Sequence, residues 1–106
     1  TTSATYGATI TGGVQSLSGA GAVDLTNLIT ELTTTGADAL TLADGTTSGQ
    51  VKIVTMIVDG GDGTLTPVTF ANGTTITFDA VAESVTLVWN STIGWVATSV
   101  QGATIA

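Results

Sequence analysis

The residues that could carry chemistry in this sequence are eight carboxylates, one lysine and many hydroxyls. Histidine, cysteine and arginine do not occur in the 106 residues, so acid–base and nucleophilic catalysis lose their most common side chains. The one familiar option left is a serine activated by Lys52, which lies in an apolar run beside no distinctive serine motif. We therefore predict a protein that is not an enzyme and that has no catalytic residues and no cofactor.

The segment 59–63 (DGGDG) is the candidate metal site, because carboxylates on a glycine-rich loop suit Ca²⁺. Its spacing does not fit the known loops. Counted from Asp59, the twelfth position of an EF-hand requires Glu and holds Phe70, and the RTX pattern requires Asp where Leu65 stands. A glycine-rich hairpin turn explains the segment more simply, and we predict no bound metal.

Two further patterns have a chemical and an ordinary interpretation. The segments 59–62 and 79–83 each carry two carboxylates, as glycoside hydrolysis needs, but a sugar cleft also needs aromatics, and we expect Phe78, Trp89 and Trp95 in the core. Pairs of threonines raise the possibility of an ice-binding surface, which requires such pairs at a constant repeat length. Their spacing along the chain is irregular, which favours ordinary solvent-facing threonines. These pairs are Thr9 with Thr11, Thr64 with Thr66, and Thr75 with Thr77.

Charge is scarce throughout the chain. Charged residues make up 8% of the sequence, against about 25% in an average protein, and 24 threonines and 14 glycines take their place. A net charge of −7 with one lysine excludes the basic cluster that nucleic-acid binding requires. No apolar run approaches the roughly 18 residues that cross a bilayer, so no membrane partner is expected. Such a surface favours self-association.

Thr, Val and Ile dominate over strong helix formers, which predicts an all-β fold, specifically a compact antiparallel β-sandwich or jelly-roll-like domain. Residues 1–21 have few apolar anchors and are predicted to form an extended N-terminal arm, or edge strands, before a single β-domain at 22–106. The apolar spacing in 23–32 (VDLTNLITEL) also fits a short helix.

Several strands and turns are predicted individually. The strands are 39–43, 50–59, 64–70, 75–78, 84–90 and 94–100, with hairpin turns at 72–73 (NG) and 91–93. Both faces of 50–59 (QVKIVTMIVD) are mainly apolar, which indicates a central strand or one face against another subunit. Pro67 lacks a ladder donor and predicts an edge strand or a bulge.

From Gln15 onward, an ordered set of motifs resembles a module of virion structural proteins from marine tailed bacteriophages, notably phages of cyanobacteria. The motifs are 17–22 (LSGAGA), 33–42 (TTTGADALTL), 43–46 (ADGT) leading to 49–50 (GQ), 59–61 (DGG), 64–67 (TLTP), 73–78 (GTTITF) and 84–87 (SVTL). The turn before Gly49 is longer here than in that module.

The resemblance implies a capsid-associated or fibre-associated component, commonly a homotrimer, with no catalytic residues. The expected function is a capsid decoration (cement) protein on the virion surface, whose partners are its own copies and the major capsid protein or another virion protein. The predicted arm would reach a neighbouring subunit or the shell. The alternative is a fibre module that recognises host glycan through the loops at 59–63 and 91–93.

Overall fold

Ten β-strands and no helix make up residues 12–106, which are the residues that the computed structural model describes. The all-β prediction is confirmed. In segment 23–32, β2 ends, a turn follows and β3 begins, so the alternative of a helix is wrong. No stretch of 12–106 forms a helix long and apolar enough to cross a membrane. The strands are β1 Val14–Ser18, β2 Gly21–Val23, β3 Ile29–Thr33, β4 Asp38–Leu42, β5 Val51–Val58, β6 Gly63–Pro67, β7 Ile76–Phe78, β8 Ser84–Asn90, β9 Gly94–Gln101 and β10 Thr104–Ile105.

The strands form two five-stranded sheets with their apolar faces together. Sheet A has the order β1-β3-β5-β8-β9, and sheet B has the order β10-β7-β6-β4-β2. From β1 to β6 the chain alternates between the sheets, so that β1 with β2, β3 with β4, and β5 with β6 form three stacked coils. Each coil returns to sheet A in its original direction, and neighbouring coils therefore pair in parallel.

The sandwich of two sheets is thus confirmed, whereas the prediction of an antiparallel or jelly-roll arrangement is wrong. Both sheets are mixed: the pairs among β1 to β6 are parallel, and the pairs that involve β7 to β10 are antiparallel. Within residues 12–106, β1 is an edge strand of sheet A. The rest of the predicted arm that precedes Gly12 lies outside the described residues.

The core lies between the sheets and is almost entirely aliphatic and aromatic. Trp89 and Trp95 face each other across β8 and β9 with ring centroids 5.4 Å apart in an edge-to-face arrangement. The Trp95 indole Nε1 donates to the carbonyl of Ala43 at 2.9 Å, which satisfies the buried polar atom of the ring. The tryptophans therefore fix the register of the predicted 84–90/94–100 hairpin. The buried apolar side chains are Val23, Leu32, Leu40, Leu42, Val54, Met56, Leu65, Ile76, Phe78, Val85, Leu87, Trp89 and Trp95.

The connection from β6 to β7 differs from the predicted two-residue turn at 72–73. The two strands pair at Gly63–Phe78, and residues 68–75 form a long loop that lies along the free edge of β9. Phe70 makes a parallel bridge with Trp95, and the Asn72 Oδ1 accepts a hydrogen bond from the amide of Ala97 at 2.8 Å. The loop thus covers a sheet edge.

Pro67 ends a central strand of sheet B, so the prediction of an edge strand or bulge is also wrong. Pro67 is the last residue of β6 and lies two positions beyond the end of the pairing with β7 at Leu65, so its missing N–H does not interrupt that ladder.

All the connections between strands lie at the two ends of the sandwich, where the strands begin and end, and these ends are here called the turn edge and the loop edge. The turn edge carries the segments that cross between the sheets near the end of β5: 19–20, 34–37, 59–62, 79–83 and 102–103. The loop edge carries the other connections: 24–28, 43–50, 68–75 and 91–93. Within residues 12–106, the surfaces available for function are these two edges, the two outer sheet faces and the open side of β1 and β2.

Candidate interaction surfaces

Lys52, the only cationic side chain of the sequence, is held inside the protein. Its side chain is 1% exposed, and Nζ donates to the Asp24 Oδ1 at 3.0 Å and to the carbonyl of Asn27 at 2.9 Å. Burial lowers the pKa of Lys52, and its hydrogen bond and ion pair with Asp24 oppose that effect. The partners of this amine are a carboxylate and a carbonyl, so Lys52 anchors the turn at 24–28 to β5, and among residues 12–106 it has no hydrogen bond to a serine hydroxyl.

Asp24 is the organising residue of that turn. Its carboxylate accepts from the Asn27 side-chain amide at 2.7 Å and from the Asn27 backbone amide at 3.2 Å, in addition to Lys52. Partial burial alone raises the pKa of Asp24, but the hydrogen bonds from Asn27 and Lys52 together hold it below its ordinary value. The carboxylate is therefore a structural anion whose hydrogen-bonding capacity is largely used within the turn.

The glycines of segment 59–63 are explained by close packing of two corners. A Cβ on Gly60 would lie 2.2 Å from the carbonyl oxygen of Thr34, and one on Gly61 would lie 2.5 Å from the carbonyl of Gly36. The buried Thr34 hydroxyl joins these corners, because it donates to the Gly61 carbonyl at 2.7 Å and accepts from the Gly60 amide at 2.9 Å. Within residues 12–106 no three potential ligand side chains come together at one point.

The carboxylate pairs considered for glycoside hydrolysis have local partners. The Glu83 Oε1 accepts from the backbone amide of Asp79 at 2.7 Å, and the Asp59 Oδ1 accepts from the amide of Gly61 at 3.1 Å. Both are loop-closing hydrogen bonds. Residues 12–106 form no pocket in which a sugar ring would be enclosed.

The turn edge concentrates the negative charge. Five of the eight carboxylates lie there and no cationic side chain does, since Lys52 pairs with Asp24 at the loop edge. Mutual repulsion therefore disfavours contact between two turn edges of like charge. The five residues are Asp38, Asp59, Asp62, Asp79 and Glu83.

The two loops proposed for glycan recognition lie far apart. Residues 59–63 follow the end of β5, whereas 91–93 follow the end of β8, which runs antiparallel to β5. The first loop is thus at the turn edge and the second at the loop edge. The structure does not bring them together into one site.

The outer face of sheet A carries an apolar strip. Two rows of side chains cross the strands, one through β1, β3 and β5 and one through β5, β8 and β9, and they meet on β5. Val14 is 53% exposed and Val51 38%, whereas the other members are partly buried. The strip, hereafter the apolar strip, consists of Val14, Ile29, Val51, Ile53, Val88 and Val96.

The apolar strip lies toward the loop edge and is separated from the turn edge by a polar row. That row contains Glu31, the single carboxylate on the outer face of the five strands. The sequence signal for the strip was the run 50–59, in which both faces are apolar. The members on β1, β3, β8 and β9 were missed because only the strand order places them beside β5. The polar row is Ser16, Glu31, Thr55, Ser84 and Gln101.

The outer face of sheet B is uncharged and consists of threonine and alanine. Strand pairing places Thr64 opposite Thr77 and Thr41 opposite Thr66, so threonines with irregular sequence spacing come into register. The irregular spacing used against a ladder therefore did not predict the alignment in space. The pair Thr9 and Thr11 lies outside the described residues. This Thr/Ala face comprises Ala22, Ala39, Thr41, Thr64, Thr66, Thr77 and Thr104.

Comparison of the chain with models of known protein families and with curated proteins finds no match.

Proposed function

We propose that this chain is a non-enzymatic structural protein of a tailed-bacteriophage virion, a capsid decoration protein that stabilises the shell by protein–protein contacts. The proposal begins from the resemblance of the segments between Gln15 and Leu87 to phage virion modules. It places the protein on the capsid surface, as a homotrimer in contact with the major capsid protein or another virion protein.

The observation that carries the proposal is the apolar strip on an otherwise charge-poor surface. Six aliphatic side chains in two rows cross the outer face of sheet A, which no further sheet of residues 12–106 covers, and burying their exposed area against another protein is favourable at about 25 cal/mol per Å². Residues 12–106 form no pocket, and the one lysine among them is buried. Such a surface is suited to contact and offers little for turnover.

Binding to shells tests the proposal directly. Purified protein is mixed with capsids of the parent phage that lack it, and bound protein is measured by sedimentation against total protein. Saturable binding with a copy number comparable to that of the major capsid protein is expected. The decoration role is wrong if binding does not saturate or if only a few copies are present in each virion.

A fibre component is the second candidate, supported by the three parallel coils. Within the described residues, β1 and β2 each lack a neighbour on their outer side, and parallel coils of this kind extend by stacking. A fibre module would bind host cells and leave capsids unbound. Parallel binding assays on cells and on shells therefore separate the two roles.

A further inference from the structure

The two outer sheet faces differ in a way that assigns them different tasks. The Thr/Ala face of sheet B presents hydroxyls and methyl groups without charge, whereas sheet A presents the apolar strip. Single exposed apolar residues are normal on proteins, but contiguous patches mark contact sites. Sheet A is therefore the face that gains more from being covered.

We propose that the apolar strip is the surface by which copies of this chain associate with one another. This deepens the proposed function and rests on it, because a trimeric decoration protein needs a self-contact. The occupants of the strip are the same strips of the two neighbouring copies, which meet around the threefold axis of the proposed trimer. The two rows together cross sheet A from β1 to β9, so the strip offers apolar contact over the whole width of the sheet.

The distribution of charge supports a second copy as the occupant. Each chain carries a net charge of −7, so copies repel unless they meet where carboxylates are few. The strip meets that condition because five carboxylates lie at the turn edge and Glu31 lies in the intervening polar row. When strips face one another, the turn edges point outward and remain in solvent, where salt screens their repulsion.

The area of the face is adequate for a specific contact. Five strands spaced by about 4.8 Å, with lengths of about 20 Å, give a face of roughly 500 Å² in projection. The ridged side chains add to the accessible area, which brings it to the same order as the roughly 800 Å² per partner of a typical interface. A contact of that size covers the polar row as well as the strip, with Glu31 on its turn-edge side and the apolar side chains toward the loop edge.

The test is the oligomeric state of the full 106-residue chain, measured by sedimentation equilibrium over a range of protein concentrations. The wild type is expected to exceed the monomer mass of 10.4 kDa. Ile53→Lys places a charge in the middle of the strip and is expected to weaken association at least about 100-fold, since an unpaired charge in an interface costs several kcal/mol. Raising the salt concentration should strengthen association of the wild type.

Thr66→Lys is the matched control, because it makes the same change of charge on the Thr/Ala face and should leave the mass unchanged. Val51→Lys, at a more exposed position of the strip, repeats the test if Ile53→Lys does not fold. Tryptophan fluorescence in urea checks that each variant is folded.

The inference is overturned if the wild type is a monomer throughout, or if Thr66→Lys dissociates it while Ile53→Lys and Val51→Lys do not. A monomer that still saturates capsids would overturn this self-contact and leave the decoration role standing. An oligomer that Ile53→Lys dissociates, but that binds no capsid, would support the self-contact and contradict decoration.

Discussion

The buried ion pair provides the sharpest test of the structure, because its two partners are buried to different extents. Lys52 is 1% exposed and Asp24 is 30% exposed. Asp24→Ala leaves an ammonium group inside the protein with one hydrogen-bond acceptor, the carbonyl of Asn27. Lys52→Met removes the charge, keeps most of the buried volume and leaves Asp24 partly in water with its bonds from Asn27. The two substitutions delete the same ion pair but should have unequal costs.

The loss of unfolding free energy in Asp24→Ala has an expected size and an upper limit. Removing one partner of a buried pair costs about 3 to 5 kcal/mol. The cost has an upper limit, because Lys52 can lose its proton and become neutral. Deprotonating a lysine of pKa near 10.4 at pH 7 takes about 4.6 kcal/mol. Lys52→Met should stay within about 1 kcal/mol of the wild type, because the remaining loss is one hydrogen bond to a partly buried carbonyl. Against a total stability of about 5 to 15 kcal/mol, the difference is large.

Urea unfolding followed by the fluorescence of the two tryptophans measures these values, at one protein concentration for all variants because self-association would add to stability. The double variant Asp24→Ala/Lys52→Met is the control: it should recover the part of the loss that comes from the unpaired charge, and the loss that remains is that of the two Asn27 hydrogen bonds to Asp24. The stability of Asp24→Ala should also rise with pH toward 10.4, since the lowered native pKa of Lys52 leaves more protons on the unfolded state. Equal losses for the two single variants, or no recovery in the double variant, would refute the burial of Lys52 as an ion.

The remaining predictions use the same unfolding assay. Thr34→Val removes the hydroxyl that joins two corners and should cost about 1 to 3 kcal/mol, whereas Thr35→Val, at an exposed neighbour, should change little. Gly61→Ala should destabilise strongly because its Cβ would meet backbone, whereas Gly36→Ala has open space and should be nearly neutral. The lowered pKa of Asp24 stabilises the fold above its unfolded value of 3.8, and that contribution should disappear as pH falls through the lower native pKa, with a shallower loss in Asp24→Asn.

The six strands β4 to β9 could be predicted because each is encoded locally, whereas β1, β2, β3 and β10 were not predicted individually. The run 50–59 gave β5, and the alternation of Val85, Leu87 and Trp89 gave β8 with its inward face. The pairing of strands could not be predicted. A parallel coil joins residues separated by 15 positions at Val14–Ile29 and by 24 at Ile29–Ile53, so no constant repeat appears in the sequence. The connections at both edges and the lengths of the strands vary between coils, and together they account for the difference.

The same cause limited the prediction of surfaces. The sequence showed that both faces of β5 are apolar. The extension of the apolar strip to Val14 and Val88 depends on which strands lie beside β5, and the sequence did not show that. Lys52 was predicted correctly as a residue of the central strand, but its ion pair with Asp24 was not predicted, because the two positions are 28 residues apart. In a mixed sheet, local alternation decides which side a residue faces, and topology decides what it faces.

The burial of Lys52 also shapes the outside of the protein. With the only cationic side chain paired to Asp24, the net charge of −7 is carried by the seven other carboxylates, and five of these lie at the turn edge. A partner surface that meets this edge must supply its own cations, whereas one that meets the apolar strip need not. Contacts at the edge would weaken with added salt, and contacts at the strip would strengthen. Because the one lysine is buried at the loop edge, the turn edge keeps its full negative charge and suits a basic partner, whereas the apolar strip suits identical copies.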